Sequence, residues 1–435
     1  MPEYKKKKVK KTKKSIKNTY TEEIKMAPKR ERKNSVNQKA KKENNSKSKE
    51  AAKTRPKPRV IRGRKLVNKN KRNFAFGAIA VLIIAVIVFS VFLPTGLFEY
   101  IQNSIASVGT SGEFPCEISG GTLINTTKMG KTFIAVTPTQ ASSFNTKSGK
   151  NVFTHQHGYV RPVVATSESR FLIYSQGEKE YTLYNLKKKI AGGQTKNDIL
   201  TACVARNGTF AIATQSDGYS SEVTFYSKKG KAEFTWLCAD YIINDIVLSD
   251  NGKRIVISAI NANKGKFVSK LIVVEYDSPT PVYSKVYEND ILLDIEANNI
   301  TFYAVFENKV EFFKWSNYSS TLHDTEKNFT FNRNNNRFTF LLAGHESNKG
   351  SNTAYIFNKK GEKVSEFNLD FEIIDVAFTE NYIYILSDKV IYLYSIDGEM
   401  SSKTSCGFGV VRIIPVSHHS LITLTDNTAD KIHLE

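Results

Sequence analysis

The chain has 435 residues, with 63 Lys+Arg against 42 Asp+Glu and a formal net charge of +21. Residues 1–72 alone hold 29 Lys+Arg and 6 Asp+Glu, so the rest carries 34 against 36 and is close to neutral. The excess therefore belongs to one segment, which excludes a globular nucleic-acid-binding domain as its source. A hydrophobic content of 40% with 11% aromatics excludes a wholly disordered chain.

Residues 1–72 begin with a dense lysine run, Lys5 to Lys8, and continue with charges spaced by Asn, Ser, Thr and Pro, without apolar periodicity. Such a segment is expected to be a disordered tail. Its charge suits anionic lipid head groups, at about 1 kcal/mol for each basic side chain held near the surface. Contact with nucleic acid is the weaker reading, because only Tyr4 and Tyr20 offer rings for stacking.

From Phe74 to Leu93 the chain reads FAFGAIAVLIIAVIVFSVFL, with no charge. At about 1.5 Å per residue, twenty residues match the hydrocarbon core of a bilayer. A transmembrane helix over 73–94 is expected, and the long segment before it argues against a cleaved signal peptide. Lys65, Lys69, Lys71 and Arg72 precede the span as membrane-surface residues, whereas Pro94, Thr95 and Gly96 follow it. The positive-inside rule then gives a single-pass type II cell-membrane protein, N-terminus cytoplasmic and C-terminal domain extracytoplasmic. Residues 95–112 read as a juxtamembrane stalk or a short interfacial helix, with Leu97, Ile101, Ile105 and Val108 on one side.

Over 113–435 the text changes to short runs rich in Ile, Val, Phe, Tyr and Thr, broken by Asn, Asp, Gly and Ser. This is an all-β pattern. A polar turn followed by a strongly apolar strand returns eight times, for example TSESRFLIYSQ (166–176), SDNGKRIVISA (249–259) and SHHSLITLTD (417–426), at a mean spacing of about 41 residues. Between copies lies a second hairpin, in which Gly149, Gly230, Gly361 and Gly398 occupy the tight turn. Four short strands per repeat is a β-propeller blade. The last copy has room for three strands only, so EFPCEIS (113–119) is expected to supply the fourth and close the ring. The fold class is an all-β, eight-bladed β-propeller, with seven blades as the fallback if 296–306 is an excursion.

The hairpin texts SKKGKAEFTW (227–236) and NTKSGKNVF (145–153) resemble the repeat of eight-bladed quinoprotein-like (PQQ-type) propellers, which include membrane-tethered scaffold members without a cofactor. The layout of basic tail, single span and extracytoplasmic propeller also resembles an uncharacterised family of Gram-positive membrane proteins. The chain does not resemble WD40 proteins, since its only tryptophans are Trp236 and Trp315 and no Trp-Asp or Gly-His signature recurs.

Asp245, Asp294 and Asp375 recur at the start of the first strand of three blades, the strand that lines a propeller's channel. Three carboxylates at one mouth are a candidate binding site for a cation or basic peptide; the plainer reading is that each caps a turn by accepting backbone N–H groups. No catalytic constellation, metal site or cofactor site is legible. His155 and His157 share one strand face without a third ligand, and no nucleophile elbow or paired Cys and His occurs. A bridge between Cys116 and Cys406 would lock the ring if the two are neighbours; the plainer reading is that strand cysteines are buried hydrophobes without a bridge. The sequence thus points to a non-enzymatic scaffold or sensor at the cell envelope. Its partners are an unknown protein or envelope component through the propeller and anionic lipid through the tail. The alternative is a ligand-binding or catalytic propeller acting on an envelope carbohydrate or small molecule at the Asp-lined mouth.

Overall fold

The computed structural model describes residues 112–434 apart from 264, 336 and 345–351. The expected tail 1–72, the span 73–94, the stalk before residue 112, and Lys65, Lys69, Lys71 and Arg72 lie outside the described residues. Among the described residues no helix is long and apolar enough to cross a membrane.

Among the described residues, thirty-two strands form eight four-stranded antiparallel sheets. Seven are consecutive in the chain, covering 125–156, 162–194, 199–238, 242–288, 292–324, 329–369 and 375–405, here blades 1 to 7. Blade 8 combines three C-terminal strands between 412 and 433 with the strand Cys116–Glu117 on its outer edge. Cys116 pairs with Ala429 and Glu117 with Thr428, and the Ile118 N–H donates to the Asn427 carbonyl at 2.7 Å. The ring is closed by the two ends of the domain, as the short last repeat predicts. Eight blades, not seven, is the count, because 296–306 is the first hairpin of blade 5.

First strands of neighbouring blades touch one another and so line the channel. Because strands alternate in direction, the blade-to-blade connections and the loops between second and third strands share one face, the mouth face. The turns between first and second and between third and fourth strands share the opposite face, the hairpin face. Gly149, Gly230, Gly361 and Gly398 lie in the latter turns with φ from 70° to 91°. Gly230 is also confined by space, since a Cβ there would fall 2.2 Å from that of Ala191 on blade 2.

The core is not one centre but eight clusters, each at one blade boundary. Val256, Leu271 and Val273 of blade 4 pack on Phe302, Ala304 and Phe313 of blade 5. Ile118 and Ile422 of blade 8 pack on Phe133 and Ala135 of blade 1. Second strands such as Phe171–Ser175 and Phe210–Thr214 are buried along their whole length, because each is covered by a blade on both faces. This is why these strands read as unbroken apolar runs without alternation.

The cysteines follow the plainer reading, as packing residues without a bridge. All four cysteines are free, and Cys116 packs at the boundary of blades 8 and 1, whereas Cys406 packs at that of blades 7 and 8. The two residues serve different interfaces.

Candidate functional site

The channel is lined by polar groups that bond from blade to blade. Thr127 and Thr166 hydroxyls meet at 3.3 Å between blades 1 and 2, and the Thr201 hydroxyl donates to Asp245 Oδ1 at 3.4 Å between blades 3 and 4. The Asn332 amide of blade 6 donates to Asp294 Oδ2 at 2.6 Å, and Lys128 Nζ of blade 1 donates to the Pro415 carbonyl of blade 8 at 2.6 Å. On blade 7, Asp375 pairs with Arg333 of blade 6 and accepts the Ile413 N–H of blade 8 at 3.0 Å. These bonds form a girdle on the channel side of the apolar boundaries.

The three sequence-predicted aspartates all belong to this girdle, but they divide into two environments. Asp375 is only 2% exposed and spends its carboxylate on two neighbouring blades. Asp245 and Asp294 face each other across the boundary of blades 4 and 5, and Glu296, two residues beyond Asp294, joins them. A one-residue bulge precedes both aspartates, between Ile243 and Asp245 and between Leu292 and Asp294, and turns their side chains toward each other. Asp245 Oδ1 also accepts the Ile246 N–H at 2.8 Å.

No lysine or arginine pairs with these three carboxylates among the described residues. Burial first, and then the charge of Asp294, pushes Asp245 up to about 7. Burial, then Asp294 and Asp245, pushes Glu296 up to about 8. Asp294 is raised by burial, against the Asn332 hydrogen bond that lowers it. The cluster therefore holds protons near neutral pH, since adjacent half-buried carboxylates cannot all ionise. Glu296, Asn332 and Arg333 escape the sequence reading. The signal for Glu296 was its alternation with Asp294, which puts both on one strand face.

Among the described residues no group of three or more His, Cys, Asp or Glu is arranged to hold a metal ion. The His155 ring lies tilted 4.6 Å from that of Tyr184 of blade 2, and His157 stacks at 5.3 Å on Tyr159. Burial lowers the pKa of both, His155 also through Lys189 and His157 through His155, so both rings are neutral packing elements. A cavity of about 660 Å³ opens on the hairpin face between blades 4 and 5, beside Trp315. Its main charged groups are already engaged: Arg254 bonds Glu275 at 2.8 Å and the Trp315 carbonyl at 2.8 Å.

The mouth face carries apolar side chains around blades 4 and 5. The hairpin of blade 4, Arg254–Asn263 with Lys266–Glu275, is the longest in the ring and projects beyond its neighbours. Phe267 near its tip is 59% exposed, Ile242 54%, Leu293 46% and Ile291 38%. The Asn289 N–H donates to the Phe267 carbonyl at 3.1 Å, which extends the pairing of blade 4's outer strand along this hairpin just before Ile291 and Leu293.

Residues 106–434 match the model of a Family of unknown function (DUF5711). The chain belongs to that family. No curated protein matches the sequence. Among solved structures, the DUF5711 propeller is similar to Saccharomyces cerevisiae Sqt1, with TM-score 0.52 and 9% identity, over 74% of this chain and 100% of that one. It is similar to the C-terminal WD40 domain of Sif2, with TM-score 0.53 and 9% identity, over 75% and 100%. It also matches BamB from Moraxella catarrhalis, with TM-score 0.47 and 10% identity, over 73% and 99%. At these identities the likeness concerns the fold alone. WD40 structures share it although the Trp-Asp signature is missing here, because the blade requires four short strands and apolar boundaries rather than particular motif residues.

Proposed function

We propose that this DUF5711 chain is a membrane-anchored, extracytoplasmic propeller that works without catalysis, as a platform for a protein partner docking on its mouth face around blades 4 and 5. The observation that carries the reading is the exposed apolar group Ile242, Phe267, Ile291 and Leu293 on a girdled rim. Exposed apolar side chains gathered on a rigid surface are what a partner buries, and rigidity reduces the ordering cost of association. The anchoring part of the proposal rests on the uncharged run 74–93 and the basic residues before it. The basic tail then lies in the cytoplasm against anionic lipid.

Ligand binding or catalysis at the mouth is the second reading, and the Asp245–Asp294–Glu296 cluster is what favours it. Against it, the exposed mouth-face aromatics Tyr219, Phe267 and Phe408 sit on different blades and their connections, and form no single stacking surface beside the carboxylates.

The test is site-specific photocrosslinking in the native host, with the crosslinker at Phe267 and, as control, at Val364 on the outer strand of blade 6. A discrete adduct from position 267 alone supports a mouth-face partner. Equal labelling from both positions, or none from 267, overturns it. Protease shaving of intact cells that spares the propeller would sink the proposed topology.

A further inference from the structure

The near neutrality of the chain after residue 72 conceals a strong polarity within the propeller. Turns between third and fourth strands in blades 1, 2 and 3 read TKSGK (146–150), LKKK (186–189) and SKKGK (227–231), with eight lysines and no acid. Three adjacent blades bring these turns side by side on the hairpin face. Lys147, Lys150, Lys187, Lys188, Lys229 and Lys231 are all exposed. Of the acids near this arc, Glu168 is occupied by Arg206 at 3.0 Å, and Glu233, two residues past Lys231, accepts the Tyr276 hydroxyl at 3.2 Å. In blades 4 and 7 the corresponding turns carry Asp277, and Asp397 with Glu399, so the charge is not a general property of the repeat.

The arc is held in place. The buried Arg170 donates to the Gly208 carbonyl at 3.0 Å and to the Lys228 carbonyl, fixing two turns of blade 3 against blade 2. The domain's N-terminal end arrives at the same arc. Gly112 lies so close to the turn of blade 1 that a Cβ on it would sit 2.7 Å from Lys150 Cβ, and one on Gly149 would sit 2.7 Å from the Glu113 carbonyl oxygen. Eighteen residues separate Gly112 from Leu93, the end of the apolar run. A chain leaving the bilayer there meets the propeller on its lysine-rich side.

We infer that the hairpin face of blades 1 to 3 docks on the membrane surface through anionic phospholipid head groups, leaving the mouth face directed away from the bilayer. The inference rests on the anchoring reading for its location, but the docking chemistry belongs to the propeller itself. Fixed lysines within a Debye length of an anionic surface each add attraction, and the sum is lost with salt. A flat lysine arc without aromatic rings in its three turns suits a lipid surface better than single-stranded nucleic acid, which takes stacking platforms.

The test uses the propeller 112–435, whose ring closes entirely within those residues, so the outcome does not depend on the apolar run. Flotation with phosphatidylglycerol–phosphatidylcholine vesicles is compared with phosphatidylcholine alone. The expected result is binding to the anionic vesicles only, abolished by raising salt from about 0.05 M to about 0.5 M. Changing Lys147, Lys150, Lys187, Lys188, Lys229 and Lys231 together to Gln weakens binding by roughly tenfold or more at unchanged melting temperature. Lys179→Gln with Lys196→Gln on the mouth face leaves it intact. Indifference to lipid charge, equal loss in the mouth-face variant, or tighter binding to soluble polyphosphate than to vesicles each overturns the inference. The last would point instead to an anionic polymer. Anchoring is read separately, by alkaline extraction of membranes carrying the full chain.

Discussion

Lys285 on the outer strand of blade 4 places its ammonium 2.7 Å from Glu311 on the third strand of blade 5, inside a boundary that is otherwise apolar. Glu311 also accepts the Tyr287 hydroxyl at 2.7 Å and the Ser320 hydroxyl at 2.5 Å. Burial pushes this carboxyl up, but the hydrogen bonds from Lys285, Ser320 and Tyr287 outweigh it and hold Glu311 below the usual glutamate range. A depressed folded-state pKa means stability that is present above the unfolded value and lost as pH falls through the folded one. Lys285→Met should therefore cost about 2 kcal/mol at pH 7, discounted for the partial exposure of Lys285, and progressively less toward pH 3. Urea denaturation at both pH values checks this, and an equal loss at each would refute the charge argument.

The carboxylates of the channel act with the opposite sign. Asp245 at about 7 and Glu296 at about 8 keep protons in the folded state that an unfolded chain releases above about pH 4. The native state binds more protons, so stability falls as pH rises from about 5 to about 8. The groups facing the pair are Asp294, Asn334, Thr201, Tyr174, Cys203 and Tyr303. Asp245→Asn and Glu296→Gln should each flatten that slope and raise the melting temperature at pH 8. If the slope is unchanged in both variants, the cluster is ionised at neutral pH and needs a bound cation.

Asp375 tests whether the girdle serves structure. Its carboxylate is sealed and joins three blades through Arg333 and the Ile413 N–H. Asp375→Ala leaves a buried N–H without an acceptor and should cost about 3 kcal/mol. Replacing Asp245 by Asn should not destabilise at pH 8, because that site already disfavours charge. Similar losses from both substitutions would show that the two environments are one.

What the sequence made legible was set by local chemistry. The eight hairpins, the four turn glycines and the shared outer strand of blade 8 follow from turn residues and apolar runs, which act within a few residues of chain. The aspartates were visible because they repeat at one position. Their division into a sealed Asp375 and a proton-holding Asp245–Asp294 pair was not, because it depends on what the neighbouring blade presents: Arg333 of blade 6 beside Asp375, and Asp294 with Glu296 of blade 5 beside Asp245. The lysine arc was equally hidden. Its residues lie in three turns about 40 residues apart, and only the ring order makes them a single surface.

The free cysteines give a chemical measure of the boundaries. Cys203 is buried and its thiol pKa is raised well above the usual value by burial, and burial likewise lifts Cys116 to about 11. Thiolate is the reacting form, so both should resist alkylation at pH 8 in the folded protein. Mass spectrometry after iodoacetamide should find four modified cysteines only in denaturant, and no 116–406 bridge without reductant.

Ring closure makes the sharpest demand on the N-terminal segment. Ile118 is 1% exposed and packs on Ile422 and Phe133, so it joins blade 8 to blade 1 from the chain's other end. Ile118→Ala removes that packing and should cost about 3 kcal/mol through lost burial and the cavity left behind. In a closed ring every blade relies on two boundaries, so loosening one seam lowers the cooperativity of the whole. The expected result is a single denaturation transition shifted to lower urea, with the amides of blades 8 and 1 losing hydrogen-exchange protection before those of blades 4 and 5. Protection that falls uniformly, or first at blade 4, would show that Cys116–Glu117 is an accessory to the ring and not its closure.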